Sequence, residues 1–154
     1  MTRPAPGVAV LAFGDLDVAT AYEVWRLRQD VFVVEQECAY PDLDGRDPEP
    51  GTRHVLLTGE DGALEGYLRV LDEPDGTARV GRVLLRRSAR GRGLAAALVD
   101  AALAEIGERP SVLDAQSPLA GFYAGFGYAV TGPEFVEDGI PHLPMRRDPA
   151  PHPG

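Results

Sequence analysis

Residues 80–106, VGRVLLRRSARGRGLAAALVDAALAEI, decide the reading of the chain: an apolar strand (Val80, Val83, Leu84, Leu85), a turn of arginines and glycines (Arg86 to Gly93), then an alanine-rich helix. Arg79, Arg82, Arg86, Arg87, Arg90 and Arg92 fall in one window without an acid. That window carries +6, so the rest must carry −15 to give the net charge of −9. A positive island in an acidic protein points to a local anionic ligand. With a helix starting near Gly93, unpaired N–H groups and the positive end of the helix dipole face the turn. The amides of Gly91, Arg92, Gly93, Leu94 and Ala95 are then ready donors to phosphate, with the Arg90 and Arg92 side chains assisting. Arg86 and Arg87 either reach a further phosphate or face water. A lysine-dependent phosphate loop is excluded because the chain has no lysine. A dinucleotide fingerprint is excluded because Gly91-Arg92-Gly93 does not continue to a third glycine.

Outward from this centre, the pattern is a mixed α/β one. Val8, Val10 and Leu11 form a first strand, and Asp17 caps a helix in which Val18, Ala21, Tyr22 and Trp25 recur at helical spacing, with Tyr22 and Trp25 expected in the core. Tyr40 to Thr52, with Asp42, Asp44, Asp47, Glu49 and three prolines, reads as a long functional or mobile loop. Its acids suit a cationic acceptor or are merely solvated, and they lack calcium-loop spacing, so no metal is expected. His54 to Thr58, Ala63 to Leu71 and Thr77 to Leu85 form a meander around two glycine-containing turns. After the helix ending near Ile106 come a strand over Ser111 to Leu113, a helix opened by Pro118 and stopped at Gly127, and strands near Tyr128 to Val130 and His142 to Arg146.

Length and a 44% apolar composition fit one domain, 1–147, followed by a proline-rich tail, 148–154, expected to be disordered. No apolar run reaches transmembrane length and no secretory signal is present, so a cytoplasmic protein without membrane contact is expected. A pI near 4.7 argues against nucleic acid as partner, and against an RNA-binding reading of the arginine island. Cys38 is the only cysteine and reads as a structural or incidental thiol.

Two ordered landmarks carry a family resemblance. Arg90-x-x-Gly93-x-Ala95 after the strand ending at Leu85, and Gln116-x-x-Leu119-x-x-Phe122-Tyr123-x-x-Phe126-Gly127-Tyr128, resemble the pyrophosphate loop and closing motif of the GCN5-related N-acetyltransferases (GNAT). Gln116 and Leu119 depart from the usual Asn and Ala. Val31-Phe32-Val33-Val34-Glu35-Gln36, Cys38, Tyr40, Asp42, Asp44-Gly45, Arg53-His54 and Glu137-Asp138-Gly139-Ile140-Pro141-His142 are similar to the ElaA-like branch. The resemblance implies a mostly antiparallel twisted sheet, flanked by helices and splayed between its fourth and fifth strands. It implies acetyl-CoA as cosubstrate, held by Val83, Leu84, Leu85, Arg90 to Ala95, Gln116, Phe122 and Tyr123. Direct attack of a primary amine, on a small molecule or a protein, is the implied chemistry, with Tyr123 as general acid. Glu35 stands first as base, with His54 and His142 behind it. Glu35, Gln36, Asp42, His54, Arg69 and His142 are the candidate acceptor-binding residues. A noncatalytic acyl-CoA-binding regulatory module and a homodimer remain open.

Overall fold

The computed structural model describes residues 7–149; the predicted tail from 150 onward lies outside them. Three hairpin-linked strands form the centre: β2 (Arg53–Thr58), β3 (Leu64–Asp72) and β4 (Ala78–Leu85). Gly62 and Gly76 adopt φ of +81° and +88° at the two turns, which the sequence marked by Asp-Gly pairs. β1 (Gly7–Ala12) adds antiparallel to β2. On the far side come β5 (Ser111–Gln116), β8 (Ile140–Arg147) and β6 (Ala129–Val130), with β7 (Phe135–Glu137) on β8. The sheet order is β1-β2-β3-β4-β5-β8-β6.

All pairings are antiparallel except β4 with β5, and that parallel pair lasts only for Ala78↔Ser111 and Arg79↔Val112. Past Arg79 the two strands part, as the resemblance implied. A bulge in β4 accompanies the parting. Tyr67 faces Leu84 and Arg69 faces Gly81, so Leu68 opposes both Arg82 and Val83, and Arg82 takes a φ of +55°. A bulge adds twist and bends its strand. Positive φ in a residue with a side chain costs on the order of 1 kcal/mol or more.

Helix α2 (Leu94–Ile106) packs Leu98, Val99, Ala102 and Ile106 on one sheet face, against Val55, Leu57, Leu68, Val70 and Val80. Gly66 permits this approach: a Cβ there would stand 2.7 Å from Leu85 Cδ2 and 3.0 Å from Leu98 Cδ1. The other face is covered by α1 (Val18–Arg28), whose cap Asp17 accepts from the Thr20 amide at 2.7 Å, and by the π-helical turn Gln29–Glu35. Val24 and Val31 pack there with Leu56, Leu64, Tyr67 and Leu84, while Trp25 is half-buried beside them. Tyr22, expected in the core, is 68% exposed. The helix turns Val24 and Arg28 inward, and Tyr22 and Val18 sit off that face.

The acidic segment also differs from its sequence reading. Asp42, Asp47 and Thr52 are buried, because three arginines meet the acids. Arg28, wholly buried, donates from Nε to Asp42 Oδ2 (2.9 Å), from Nη1 to Asp47 Oδ1 (2.7 Å) and from Nη2 to the Asp42 carbonyl (2.8 Å). Its guanidinium also lies over the Trp25 and Tyr67 rings at 5.2 and 5.7 Å. Arg69 bonds Asp44 and Asp47. Arg82 Nε stands 2.8 Å from Asp42 Oδ1 with its N–H axis off-line, so this is a charge contact; the directed bond is from Nη2 to the Asp42 carbonyl at 3.1 Å. These contacts hold the strained Arg82 backbone where it is. The ring of three arginines and three aspartates is paired internally and fixes the segment to the sheet.

An acid-stability prediction follows from Asp44. Partial burial raises its pKa, but the Arg69 hydrogen bond, the Arg46 amide and the charges of Arg69 and Arg82 outweigh that and hold the carboxyl well below the carboxylate range. A depressed folded-state pKa stabilises above the unfolded value, about 3.9, and the benefit fades as pH falls toward the folded value. Asp44→Asn is expected to flatten the fall of stability with pH below about 4. Urea titrations at pH 3 and 5 check this; equal acid sensitivity in both proteins contradicts it.

Candidate active site

A cavity of about 1030 Å³ opens where β4 and β5 part. That is ample for a drug-sized ligand. Val83, Leu84 and Leu85 wall one side and Leu113, Asp114, Ala115 and Gln116 the other. Arg90 and Ala95 close one end, beside the arginine-glycine turn. Beyond Arg79, β4 has lost its β5 partner, so backbone groups along its open edge face the cavity side.

The turn itself has the geometry the sequence implied. Arg87–Ala89 form one short 3-10 turn, then Gly91 and Gly93 take φ of +77° and +71° and Gly93 caps α2. Among the described residues, the amides of Gly91, Arg92 and Gly93 donate to no backbone carbonyl. Leu94 and Ala95, in the first helical turn, lack a helical acceptor. Gly91, Arg92 and Gly93, exposed, and Leu94, half-buried, thus form an amide-rich rim, and not the cavity wall.

The arginines divide unequally. Arg92 is exposed. Arg90 is engaged: Nε donates to the Leu85 carbonyl at 3.0 Å, and Nη1 and Nη2 donate to the Glu35 carboxylate at 2.7 and 2.9 Å. Glu35 therefore ties the π-helical turn to the loop. The Arg90 hydrogen bonds hold its carboxyl below the ordinary value, which makes it a weaker base. Gln36 lines the cavity next to it.

Tyr123 lies on α3 (Ala120–Ala124), a five-residue helix entered through the 3-10 turn Ser117–Leu119 and left by Gly125. It is 5% exposed, lines the cavity with Leu119 and Phe122, and meets Phe122 and Tyr128 edge-on. Tyr128 in turn is fixed by a 2.7 Å hydroxyl bond to Ser111. The Tyr123 hydroxyl has no hydrogen bond to any described residue. Burial, with Tyr128 adding to it, pushes its pKa up to about 12. The phenol therefore stays protonated, a donor across the whole neutral range.

Two acceptor-side expectations need correction. His54 is wholly buried, with Nδ1 on the Tyr67 hydroxyl (2.6 Å) and Nε2 on the Asp47 carbonyl (3.1 Å), and it is not part of the cavity wall. Burial lowers its pKa, so it is a neutral framework side chain with no path to an amine. Asp42 is likewise outside the wall, locked by Arg28, Arg82 and the Tyr40 hydroxyl at 2.6 Å. Arg69 does line the cavity, but Asp44 and Asp47 hold it. His142 lines the cavity and is half-buried, one residue-pair across from Gln116 on β8.

Sequence reasoning missed the hairpin that carries His142. Asp138 and Gly139 both take positive φ, 52° and 78°, in the two-residue turn that brings Glu137 opposite Ile140. Asp-Gly is the local signal for such a turn, and it stood in the sequence. Cys38 Sγ, inside the cavity wall, donates to the Asp138 carbonyl at 3.1 Å and joins the stretch after the π-helical turn to this hairpin. Among the described residues no group of three His, Cys, Asp or Glu is placed to hold a metal ion. No described helix is long and apolar enough to cross a membrane.

Gly93→Ala tests the rim. The added methyl meets no protein atom within 4 Å, so only the left-handed backbone is penalised. That amounts to about 1 kcal/mol, or roughly 2–4 °C in Tm for a domain of this size. Coenzyme A affinity is expected to fall about tenfold or more, through a displaced amide rim. Calorimetry checks it, and unchanged affinity contradicts the rim's role.

This architecture occurs in known proteins. The acetyltransferase (GNAT) domain family matches residues 30–149. A UPF0039 protein of Mycobacterium tuberculosis is 48% identical over 136 residues, covering 86% of this chain and 87% of that one. The crystal structure of Escherichia coli ElaA matches at a TM-score of 0.87 and 33% identity, over 93% of this chain and 99% of that one. An acyl-CoA N-acyltransferase from Pseudomonas aeruginosa matches at 0.86 and 35%, with the same coverage. Together with the parted strands, the glycine turn and the buried tyrosine, these likenesses show that the chain belongs to the GNAT family, in its ElaA-like branch.

Proposed function

We propose that the protein is an acetyl-CoA-dependent N-acetyltransferase that acetylates a primary amine of a small molecule or a protein. The observation that carries this reading is the continuity of the cavity: one wall runs from the Arg90 and Ala95 end, past unpaired β4, to Tyr123 and His142. The residues fit an acyl-CoA. The amides of Gly91 to Ala95 would hold its diphosphate, assisted by Arg92, and Val83, Leu85, Ala95 and Phe122 would face its arm. Bound acetyl-CoA supplies an activated thioester.

The chain's own residues supply the rest. Backbone N–H groups on the open edge of β4, near Leu85, would stabilise developing negative charge on an acyl oxygen. Tyr123, protonated at neutral pH, donates to the departing sulfur; placed acids of this kind contribute roughly 10²–10⁴ in rate. Glu35 holds Arg90 against the Leu85 carbonyl and so shapes the turn, a positioning task more than a proton-transfer one. The Tyr40 to Thr52 segment, pinned by the arginine-aspartate ring, adds Tyr40, Pro41, Asp44 and Arg46 to the cavity wall.

Release of coenzyme A thiol from acetyl-CoA tests the reading, with spermidine, phenethylamine, lysine and a peptide with a free N-terminus as acceptors. Amine-dependent release above hydrolysis supports it. Saturable binding of coenzyme A with no release for any amine supports the noncatalytic module instead.

A further inference from the structure

We propose that His142 is the base that takes the proton from the acceptor ammonium, through Nε2. The inference rests on the acyltransferase reading of the same cavity and adds the acceptor half of the reaction to it. Nδ1 of His142 stands 2.8 Å from the carbonyl of Ile140. A carbonyl only accepts, so Nδ1 carries the ring proton and Nε2 carries the lone pair. The ring is held flat against Phe135 of the neighbouring strand, 5.7 Å between centroids and 19° between planes. One nitrogen anchored, the plane fixed and the other nitrogen a pure acceptor is the arrangement a proton-abstracting imidazole requires.

Three of the cavity's carboxylates are committed elsewhere. Glu35 is held by Arg90, Asp44 by Arg69 and Arg82, and Asp114 by Arg79 at 3.3 Å. His54 is sealed between Tyr67 and the Asp47 carbonyl. Ionisable groups that share the cavity with His142 are Glu137 and Asp138 on its own hairpin, Asp114 on β5, Arg69 on β3, Arg79 and Arg82 on β4, Arg90 in the glycine turn, Glu35 on the π-helical turn, Cys38, Tyr40, Asp44 and Arg46 after it, and Tyr123 on α3. Glu137 and Asp138 are exposed on the hairpin, whose turn faces solvent.

In the step, an ammonium N–H bond breaks and an Nε2–H bond forms. The nitrogen lone pair released in this way attacks the acyl carbon, and the imidazolium returns its proton to solvent. As the tetrahedral adduct collapses, the C–S bond breaks and Tyr123 gives its proton to the departing sulfur. The second proton that the nitrogen sheds in becoming an amide restores the phenol by way of solvent, so acid and base are separate groups on α3 and β8.

Long-range proton–nitrogen correlation spectra of the full chain, with and without coenzyme A, read the tautomer directly, with His142→Gln identifying the signal. In the neutral ring a protonated Nδ1 and an unprotonated Nε2 are expected; a neutral ring protonated at Nε2 overturns the assignment. For the fastest acceptor of the amine set, His142→Gln is expected to lower kcat/KM about a hundredfold at pH 7. Coenzyme A affinity should stay within about threefold of wild type, since no diphosphate donor is touched. The wild-type pH profile should carry an inflection that the variant lacks. The variant's deficit should shrink as pH rises, because more acceptor is then already free amine. Turnover within threefold of wild type, with the inflection retained, overturns the assignment while leaving the acyltransferase reading intact. A wild-type chain that binds no coenzyme A overturns both.

Discussion

Tyr123→Phe is expected to lower kcat by about a hundredfold or more while leaving the fold and donor affinity almost untouched. The separation follows from the environment of the hydroxyl. It makes no hydrogen bond to a described residue, so its removal strands no buried partner. A change of under about 0.5 kcal/mol in stability is therefore expected, in contrast to the loss of a bonded buried hydroxyl. The ring stays, and with it the edge contacts to Phe122 and Tyr128. What is lost is a donor whose pKa burial has pushed up to about 12. The sign of the pH effect follows. Tyrosine donates while protonated, so donor competence is complete below about 12 and lost only above it, and no alkaline fall of kcat from this group is expected below about pH 10. Steady-state rates, calorimetric affinity for coenzyme A and thermal melts check the three parts. A Tyr123→Phe enzyme retaining more than half its kcat removes the general-acid role.

Arg28→Met is expected to cost 3–5 kcal/mol, because it leaves Asp42 and Asp47 buried without their principal counter-charge. Against a typical total of about 5–15 kcal/mol, this is a large fraction, and Tm should fall on the order of 10 °C. The damage should be directional. Amides of residues 40–52 should exchange faster in native-state hydrogen exchange than those of β2 and β3, because that segment is fixed to the sheet mainly through its aspartates. Combining Arg28→Met with Asp42→Asn and Asp47→Asn should recover part of the loss, since the penalty lies in uncompensated charge. A single variant melting within 2 °C of wild type would show that the ring does not carry the segment.

The legible part of the molecule was written in local patterns. Alternating apolar residues and Asp-Gly turns gave the meander, and Asp17 gave the start of α1. Residues 80–106 gave strand, glycine turn and helix in one reading, and the positive φ of Gly91 and Gly93 is the reason those positions lack side chains. The spacing around Tyr123 placed it on a short helix after β5. The illegible part depends on contacts distant in sequence. Asp42, Asp44 and Asp47 read as acceptor-facing or solvated because their partners are distant: Arg28 lies 14 residues before Asp42 and Arg69 lies 25 after Asp44. Arg28 offered one clue, an arginine one helical turn beyond Val24 on the buried side. The β4 bulge at Arg82 has no residue signature, since nothing in Gly-Arg-Val announces a positive φ at the arginine. Glu35 was read as a base from its acidity, and only the folded chain shows that Arg90 has claimed it.

The same distinction separates the two histidines. His54, at the start of β2, and His142, near the start of β8, carry equal sequence promise. The fold seals the first between Tyr67 and Asp47 and leaves the second on the cavity wall. Burial, not residue type, separates the framework histidine from the one that the cavity reaches.

The central claim is that the amide rim of the Arg86 to Ala95 turn and the open edge of β4 receive an acyl-CoA. Backbone amide shifts of the labelled full chain, recorded as coenzyme A is added, test it residue by residue. The account predicts saturating shifts concentrated at Gly91 to Ala95 and at Val83 to Leu85, with β1 and β2 unmoved. Saturation that leaves those eight amides in place, or no shift anywhere, would contradict it.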